Sequence, residues 1–186
     1  MQQSSELFFV SSNKHKYQEA KQILKDYGIH LKLSKQNLQE IQSDSIKKIS
    51  QHKAKQAFEK LKKPVIVEDD SLEIDSLNGF PGPYSSYVFK TIGNNGILQL
   101  IKENRNAKFH STITFCDKNN LISFSGVIAG TISKKPKGTQ WGYDPIFIPK
   151  NNSKTFAQIE IKNKLSHRFS ALKKFSNWYM QESICR

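Results

Sequence analysis

The chain has 186 residues, of which 37% are hydrophobic and 11% aromatic; this supports a folded protein with a core rather than an extended disordered chain. No stretch approaches the roughly 20 apolar residues of a membrane span, and the first residues lack the pattern of a secretory signal, so we expect a cytoplasmic protein. The 29 Lys and Arg against 16 Asp and Glu favour anionic partners, without choosing among nucleic acids, nucleotides and acidic membrane surfaces.

The N-terminal half alternates short apolar runs with helical patterns. Helical spacing of apolar residues begins at Lys14 and again after Ser45, and Pro64 ends the second helix. The predicted strands are the runs at 7–11, 31–33 and 65–68. Two consecutive strand–helix–strand passages predict an α/β sheet.

The C-terminal half is richer in β patterns. Residues 92–103 predict a helix, and the runs KFHSTITFCD and LISFSGVIAGTI predict two strands around a turn at 118–120 that extend the sheet in antiparallel fashion. The segment SALKKFSNWYM predicts a final amphipathic helix. Because no repeat or linker interrupts this order, we expect a single domain over residues 1–186.

Two cysteines are present, Cys116 and Cys185. Their positions offer no metal-ligand spacing and no framework of paired bridges, so both are predicted to be free thiols.

Three consecutive acids, Glu68, Asp69 and Asp70, follow the third apolar run and precede a Gly and Pro cluster. Ligands of α/β proteins bind at the carboxyl ends of parallel strands, and neighbouring strand residues point to opposite faces, so Asp69 and Asp70 are expected to differ in role. Three adjacent acids repel one another, and a hard divalent cation would relieve this. A solvated strand end or a helix-capping acid is the alternative.

Two basic features belong to the first two predicted helices. The segment SSNKHK at 11–16 combines small polar residues with the first turn of a helix, an arrangement that binds anions, although an ordinary capped helix start also explains it. Lys53 lies on the otherwise apolar side of the second helix.

Two further motifs lie towards the C-terminus. In GTQWGYDPIF, aromatic residues flank a glycine, which suits stacking on a purine, or else a glycine turn with core aromatics. In SHRFSAL, a histidine and an arginine precede the last helix and offer hydrogen-bond donors, although a helix cap explains the same motif.

Taken together and in this order, the motifs resemble the inosine triphosphate pyrophosphatase (Ham1-like) family over nearly the whole chain. The most specific segments are EDDSLEIDSLNGFPGPYSSYV, WGYDPIF and SHRF. The resemblance implies a two-lobed α/β fold, with a mixed sheet flanked by helices and an active-site cleft between the lobes. It also implies a cytoplasmic homodimer that hydrolyses non-standard purine nucleotides (ITP, dITP and XTP) to the monophosphate and pyrophosphate, with no stable nucleic-acid or membrane partner.

The resemblance assigns roles residue by residue. Asp69 is the implied catalytic residue, and Glu40 and Asp69 are the implied ligands of Mg²⁺, for which Mn²⁺ is a possible substitute. The implied substrate-binding residues are Ser11, Ser12, Asn13, Lys14, His15, Lys16, Lys53, Asp70, Trp141, Gly142, Tyr143, Asp144, Lys162, His167 and Arg168. Among these, Lys16, Lys53 and the backbone amides of the 11–13 turn bind phosphates. Trp141 and Tyr143 stack on the purine, while His167 and Arg168 donate to its 6-oxo group.

Four positions depart from the family pattern. Asp70 stands where Ser or Thr is usual, Ser71 stands where bacterial members often have Gly, Ser12 replaces a Gly, and Trp141 stands where Phe is usual. The extra charge of Asp70 is expected to weaken substrate binding or to recruit a second cation.

Two alternative functions remain at this point. A basic nucleic-acid-binding protein fits the charge and the aromatics near lysines, but it leaves three acids at the binding edge unexplained. A pyrophosphatase acting on other damaged nucleotides keeps the fold and changes the substrate.

Overall fold

The computed structural model describes residues 6–160 and 162–184, which form helices around a mixed β-sheet. The helices are α1 (Lys14–Lys25), α2 (Ile46–Leu61), α3 (Ser85–Thr91), α4 (Gly93–Leu100) and α5 (His167–Ile184). The strands are β1 (Leu7–Val10), β2 (Leu31–Ser34), β3 (Val65–Ile74), β4 (Pro81–Gly82), β5 (Asn106–Cys116), β6 (Leu121–Ile132) and β7 (Phe147–Pro149). Short 3-10 turns occupy Asp75–Leu77, Phe156–Gln158 and Lys162–Lys164. The mixed α/β fold class predicted from the sequence is confirmed.

The chain divides into two compact units, and β3, β5 and β6 contribute residues to both. Among the described residues, the first unit comprises 6–69, 111–126 and 168–184. The second comprises 70–110, 127–160 and 162–167. The prediction of a single domain stays a prediction.

The first unit is built on parallel strands, with β1 paired to both β2 and β3. Alternate residues of these strands enter two apolar clusters. Phe9 and Ile66 pack with α1 and α5 residues such as Leu24 and Phe175, whereas the neighbouring Val10 joins a cluster with residues of α2. Helices therefore cover both faces of this part of the sheet, as expected for parallel strands.

The second unit contains antiparallel pairs, with β4 on β3 and β7 on β6. Its core combines strand residues with the two central helices: Leu72 and Phe109 from the strands, Val88 from α3 and Ile97 from α4. Most of the predicted elements are confirmed with small changes at their ends. The helix predicted over 92–103 is α4, which ends at Leu100, whereas α3 was not predicted; Gly93, with φ of 62°, lies at the junction of the two helices.

Strand β3 is longer than predicted. The sequence indicates a strand over 65–68 that ends at the acids, but β3 continues to Ile74, so all three acids lie within the strand. Leu72 and Ile74 are fully buried, which continues the alternation of the strand beyond the charged residues.

The described residues contain no helix long and apolar enough to cross a bilayer. Cys116 is a free, buried thiol, whose pKa is raised by burial and by the nearby Asp117. Cys185 lies outside the described residues.

Candidate active site

The turn before α1 is a well-capped helix start. Asn13 Oδ1 accepts hydrogen bonds from the backbone N–H groups of His15 at 2.9 Å and Lys16 at 3.3 Å, and Ser11 Oγ accepts from the N–H of Asn13 at 3.0 Å. Ser12, Lys14 and His15 are exposed. Because the cap already engages several amides, an anion at this turn would rely more on side chains than the sequence suggests.

A cluster of two carboxylates and one ammonium group lies in the first unit. Lys53 Nζ is 2.6 Å from Asp69 Oδ1 and 2.8 Å from Glu40 Oε1. Helix α2 supplies Lys53, strand β3 supplies Asp69, and Glu40 comes from the irregular segment between β2 and α2. The charge that looked misplaced on the apolar side of α2 is therefore held by the two acids predicted to bind the metal.

The environment of Lys53 favours its charged form. Burial lowers the pKa of Lys53, but the Asp69 charge and the hydrogen bonds to Asp69 and Glu40 outweigh burial, so the net pKa lies above its ordinary value. The ammonium group therefore persists throughout the neutral range.

The second carboxylate oxygen of Asp69 has a different environment. Asp69 Oδ2 is buried and, within the described ranges, receives no hydrogen bond. A buried carboxylate oxygen without a donor is costly, and such atoms often serve catalysis or bind an ion or water. This oxygen is therefore a candidate acceptor for a proton or a candidate ligand for a cation.

Glu68 and Arg168 form a buried ion pair in the first unit. Arg168 Nε donates to Glu68 Oε1 at 2.6 Å, Ser111 Oγ donates to the same oxygen at 3.1 Å, and Arg168 Nη1 donates to Glu19. Arg168 is 1% exposed. It links α5 to β3 and α1, an arrangement that favours a positioning role over direct contact with a base.

Asp70 and His167 meet in the second unit. His167 Nε2 is 4.0 Å from Asp70 Oδ1, and the imidazole stacks on Phe109, with ring centroids 4.4 Å apart and planes 4° apart. The residue that departs from the family pattern therefore lies beside the predicted base-binding histidine. His167 is nearly fully buried, so its orientation is set by these neighbours.

The loop at 141–144 is fixed by residues around it. Lys162 Nζ is 2.5 Å from Asp144 Oδ2 and 5.5 Å from the centre of the Trp141 ring. Tyr143 is buried and donates its hydroxyl to the carbonyl of Ser85 at 2.8 Å, and burial raises the pKa of its phenol. Trp141 is half-buried, which leaves it the better stacking surface of the two aromatics.

The predicted site residues fall into two groups. The first unit holds the 11–16 turn, Glu40, Lys53, Asp69 and Arg168, and the second holds Asp70, the 141–144 loop, Lys162 and His167. Each group is brought together from elements distant in sequence.

Sequence reasoning did not assign roles to several residues that support these groups. Glu19 and Ser111 contact the Arg168–Glu68 pair, Phe109 supports His167, and Asn94 donates to the carbonyl of Gly142. Glu68 was visible within the acidic triplet. The others carry no local signal in the sequence, because their partners lie far along the chain.

The fold and the carboxylate–lysine cluster define an enzyme of mixed α/β architecture, and comparisons with known proteins specify its family. The family model described as the Ham1 family matches residues 7–178. A dITP/XTP pyrophosphatase of Methanopyrus kandleri is 48% identical, over 93% of this chain and 95% of that protein. One of Hyperthermus butylicus is 42% identical, over 94% of this chain and 95% of that protein. The solved structure of a HAM1 protein from Coxiella burnetii has a TM-score of 0.81 at 26% identity, covering 95% of this chain and 99% of that chain.

The chain belongs to the Ham1 family, which confirms the resemblance inferred from its motifs.

Proposed function

We propose that this enzyme hydrolyses dITP, ITP and XTP to the nucleoside monophosphate and pyrophosphate. The names of the relatives and their coverage of more than nine-tenths of this chain support the proposal. The observation that carries it is the cluster in which Glu40 and Asp69 hold the Lys53 ammonium group, since it combines a base, a cation for phosphate and a place for a metal.

In the proposed reaction, a water oxygen bonds to the α-phosphorus while the bond from that phosphorus to the bridging oxygen breaks. Asp69 Oδ2 accepts the proton of the water, and pyrophosphate leaves with the electron pair of the broken bond. Lys53 holds Asp69 through its other oxygen, which orients the base.

Phosphate binding is assigned to basic groups of the first unit. Lys53 and Lys16 provide the positive charge, and the turn at 11–13 with Lys14 and His15 provides further donors. Lys16 Nζ lies 3.5 Å from the carbonyl oxygen of Glu68, one residue before Asp69. This contact places a cation beside the same stretch of β3 as the proposed base.

The residues of the cluster fit a magnesium ion. Two carboxylates converge on one cation, and one oxygen of Asp69 is buried without a donor among the described residues. Mg²⁺ is usually held by one or two carboxylates together with substrate phosphates and water. Glu40 and Asp69 would hold Mg²⁺, or Mn²⁺ in its place, and the ion would neutralise charge on the leaving pyrophosphate. No group of three or more acidic, His or Cys ligands is arranged for a metal in the described chain.

Base recognition is assigned to the second unit. Trp141 offers a stacking face, and His167, held by Phe109 and Asp70, offers a donor. A donor at this position pairs with a 6-oxo group and not with the amino group of adenine. Lys162 and Asp144 hold the loop by their ion pair. Homodimer formation and cytoplasmic location stay predictions from the family resemblance.

The first experiment measures pyrophosphate release from ITP, XTP, dITP, GTP, ATP and dTTP, with Mg²⁺ and with a chelator. We expect turnover of ITP, XTP and dITP that requires the ion. Asp69→Asn is expected to reduce kcat by about 10²- to 10⁴-fold, the usual contribution of a general base. Asp44→Asn, which alters an exposed carboxylate outside the cluster, is the matched control.

A folded protein that releases pyrophosphate from none of these nucleotides would contradict the proposal. Turnover of other nucleotides only would keep the pyrophosphatase reaction but assign it to a different substrate. Full activity of Asp69→Asn would remove the assigned base while leaving the reaction in place.

A further inference from the structure

The loop at 141–144 is anchored on both sides of a single peptide group, the one that joins Gly142 to Tyr143. Tyr143 is fixed by its hydroxyl bond to Ser85 and by the edge of its ring against Phe89, with centroids 5.4 Å apart. Asp144 is fixed by its ion pair with Lys162. Gly142 has a φ of 66° and open space beside its Cα, since a Cβ there would meet no atom within 4 Å.

Asn94 makes a hydrogen bond to this peptide group. It lies in the first turn of α4, and its Nδ2 donates to the carbonyl oxygen of Gly142 at 3.1 Å, 48 residues along the chain. Its Oδ1 is buried and, among the described residues, accepts no hydrogen bond. A buried oxygen without a donor is costly, so this side chain stabilises the fold less than a fully paired one would.

A peptide group is planar and trans, so its C=O and N–H point in opposite directions. Since Asn94 holds the C=O of Gly142, the N–H of Tyr143 is turned away from α4. Within the described chain, no backbone carbonyl accepts from this N–H. This amide donor belongs to the same loop as Trp141, which is half-buried, and Gly142, beside which a Cβ would meet open space; such a loop suits the edge of a base that carries a carbonyl oxygen.

We infer that Asn94 is a positioning residue for base selection: it orients the 142–143 peptide so that the Tyr143 N–H donates to the 6-oxo group of the purine. This inference rests on the proposed function and names a determinant of its specificity. An adenine amino group is itself a donor, so the same N–H opposes adenine nucleotides.

The test compares Asn94→Leu and Asn94→Asp with wild type. Leucine keeps the approximate shape and removes the donor, and aspartate puts an oxygen against the Gly142 carbonyl. We expect Asn94→Leu to raise KM for dITP about fivefold with kcat unchanged, as for one misoriented neutral hydrogen bond, and Asn94→Asp to raise it about tenfold. The ratio of kcat/KM for dITP to that for dATP falls by the same factor.

Asn95→Leu is the matched control, because Asn95 is the exposed neighbour on the same helix. A merely structural effect would lower the active fraction, and so reduce kcat for both substrates without changing KM or the ratio. Calorimetric binding of IMP and AMP provides a second measurement that needs no turnover. We expect wild type to prefer IMP and Asn94→Leu to lose most of that preference.

The outcomes separate the two proposals. If wild type hydrolyses dITP but Asn94→Leu leaves KM and the substrate ratio unchanged, the inference about Asn94 is overturned and the proposed function stands. If wild type hydrolyses none of the nucleotides, the proposed function fails. In that case the binding measurement still tests Asn94. A preference for IMP over AMP that is present in wild type and lost in Asn94→Leu supports its role, and a preference that both proteins share overturns it.

Discussion

Each of the three adjacent acids on β3 has its own basic neighbour. Glu68 pairs with Arg168, Asp69 with Lys53, and Asp70 lies beside His167. Side chains of a strand alternate between its faces, so the first and third acids meet consecutive residues at the start of α5 while the second meets α2. The repulsion that the sequence assigned to a metal is thus already reduced by Arg168 and Lys53, so a metal is proposed on the basis of Asp69 and Glu40 alone.

At the residue scale, Lys53 carries the sharpest prediction. Lys53→Met is expected to reduce kcat/KM by about 10- to 100-fold, the range for losing a charged hydrogen bond, because it removes a phosphate-binding charge and leaves Asp69 without its partner. Steady-state kinetics with dITP measure this. Lys55→Met, on the exposed side of the same helix, is expected to match wild type. Equal losses in the two variants would indicate a general effect of charge rather than a role for the cluster.

At the element scale, Arg168 links three segments that the sequence leaves separate. It extends from α5 to Glu68 on β3 and to Glu19 on α1. The strand that carries Asp69 and the helix that follows the turn at 11–13 are therefore held by one guanidinium group. Arg168 was expected to bind the purine base. Its described contacts instead hold in position the segments that carry the residues proposed to act on phosphate.

The buried pair gives a stability prediction. Arg168→Met is expected to destabilise the protein by about 3–5 kcal/mol, because it leaves Glu68 buried without its partner. The double variant Arg168→Met with Glu68→Leu is expected to lose less than the sum of the single changes, since neither charge of the Arg168–Glu68 pair remains. Urea unfolding of the four proteins measures the coupling. Additive losses of unfolding free energy would show that the Arg168–Glu68 pair contributes little. An unchanged stability of Arg168→Met would exclude a structural role for Arg168.

The sequence predicted the elements better than their internal contacts. Apolar spacing and caps located α1, α2 and α5, because each buries one side and begins at a polar residue such as Asn13 or Ser45. It ended β3 too early, because charged residues are rarely buried, and the partner of Glu68 lies 100 residues away. No local pattern indicated Asn94 or Phe109, since their contacts depend on chain segments that meet only after folding.

At the scale of the whole molecule, the formal charge of +13 is the dominant property. A positive protein attracts a nucleoside triphosphate from a distance, and salt weakens this attraction. We expect kcat/KM for dITP to fall about tenfold as ionic strength rises from about 10 mM to about 150 mM, while the Debye length shortens from about 30 Å to about 8 Å. The kcat value at saturating substrate is expected to change little.

This salt dependence is measured by initial rates at fixed Mg²⁺. Replacing chloride with glutamate at equal ionic strength is the control for specific anion competition. A kcat/KM independent of salt would mean that the lysines of the surface do not help the substrate to arrive.

Strand β3 also limits which insertions and deletions the chain can accept. The proposed base and the neighbour of His167 are consecutive residues, each with a partner on a different element. Inserting or deleting a single residue ahead of Asp69 would shift the register by one and exchange the faces on which the acids project. The spacing between Val65 and Asp70 therefore cannot change by one residue without moving the proposed catalytic carboxylate of Asp69 into the position of Asp70.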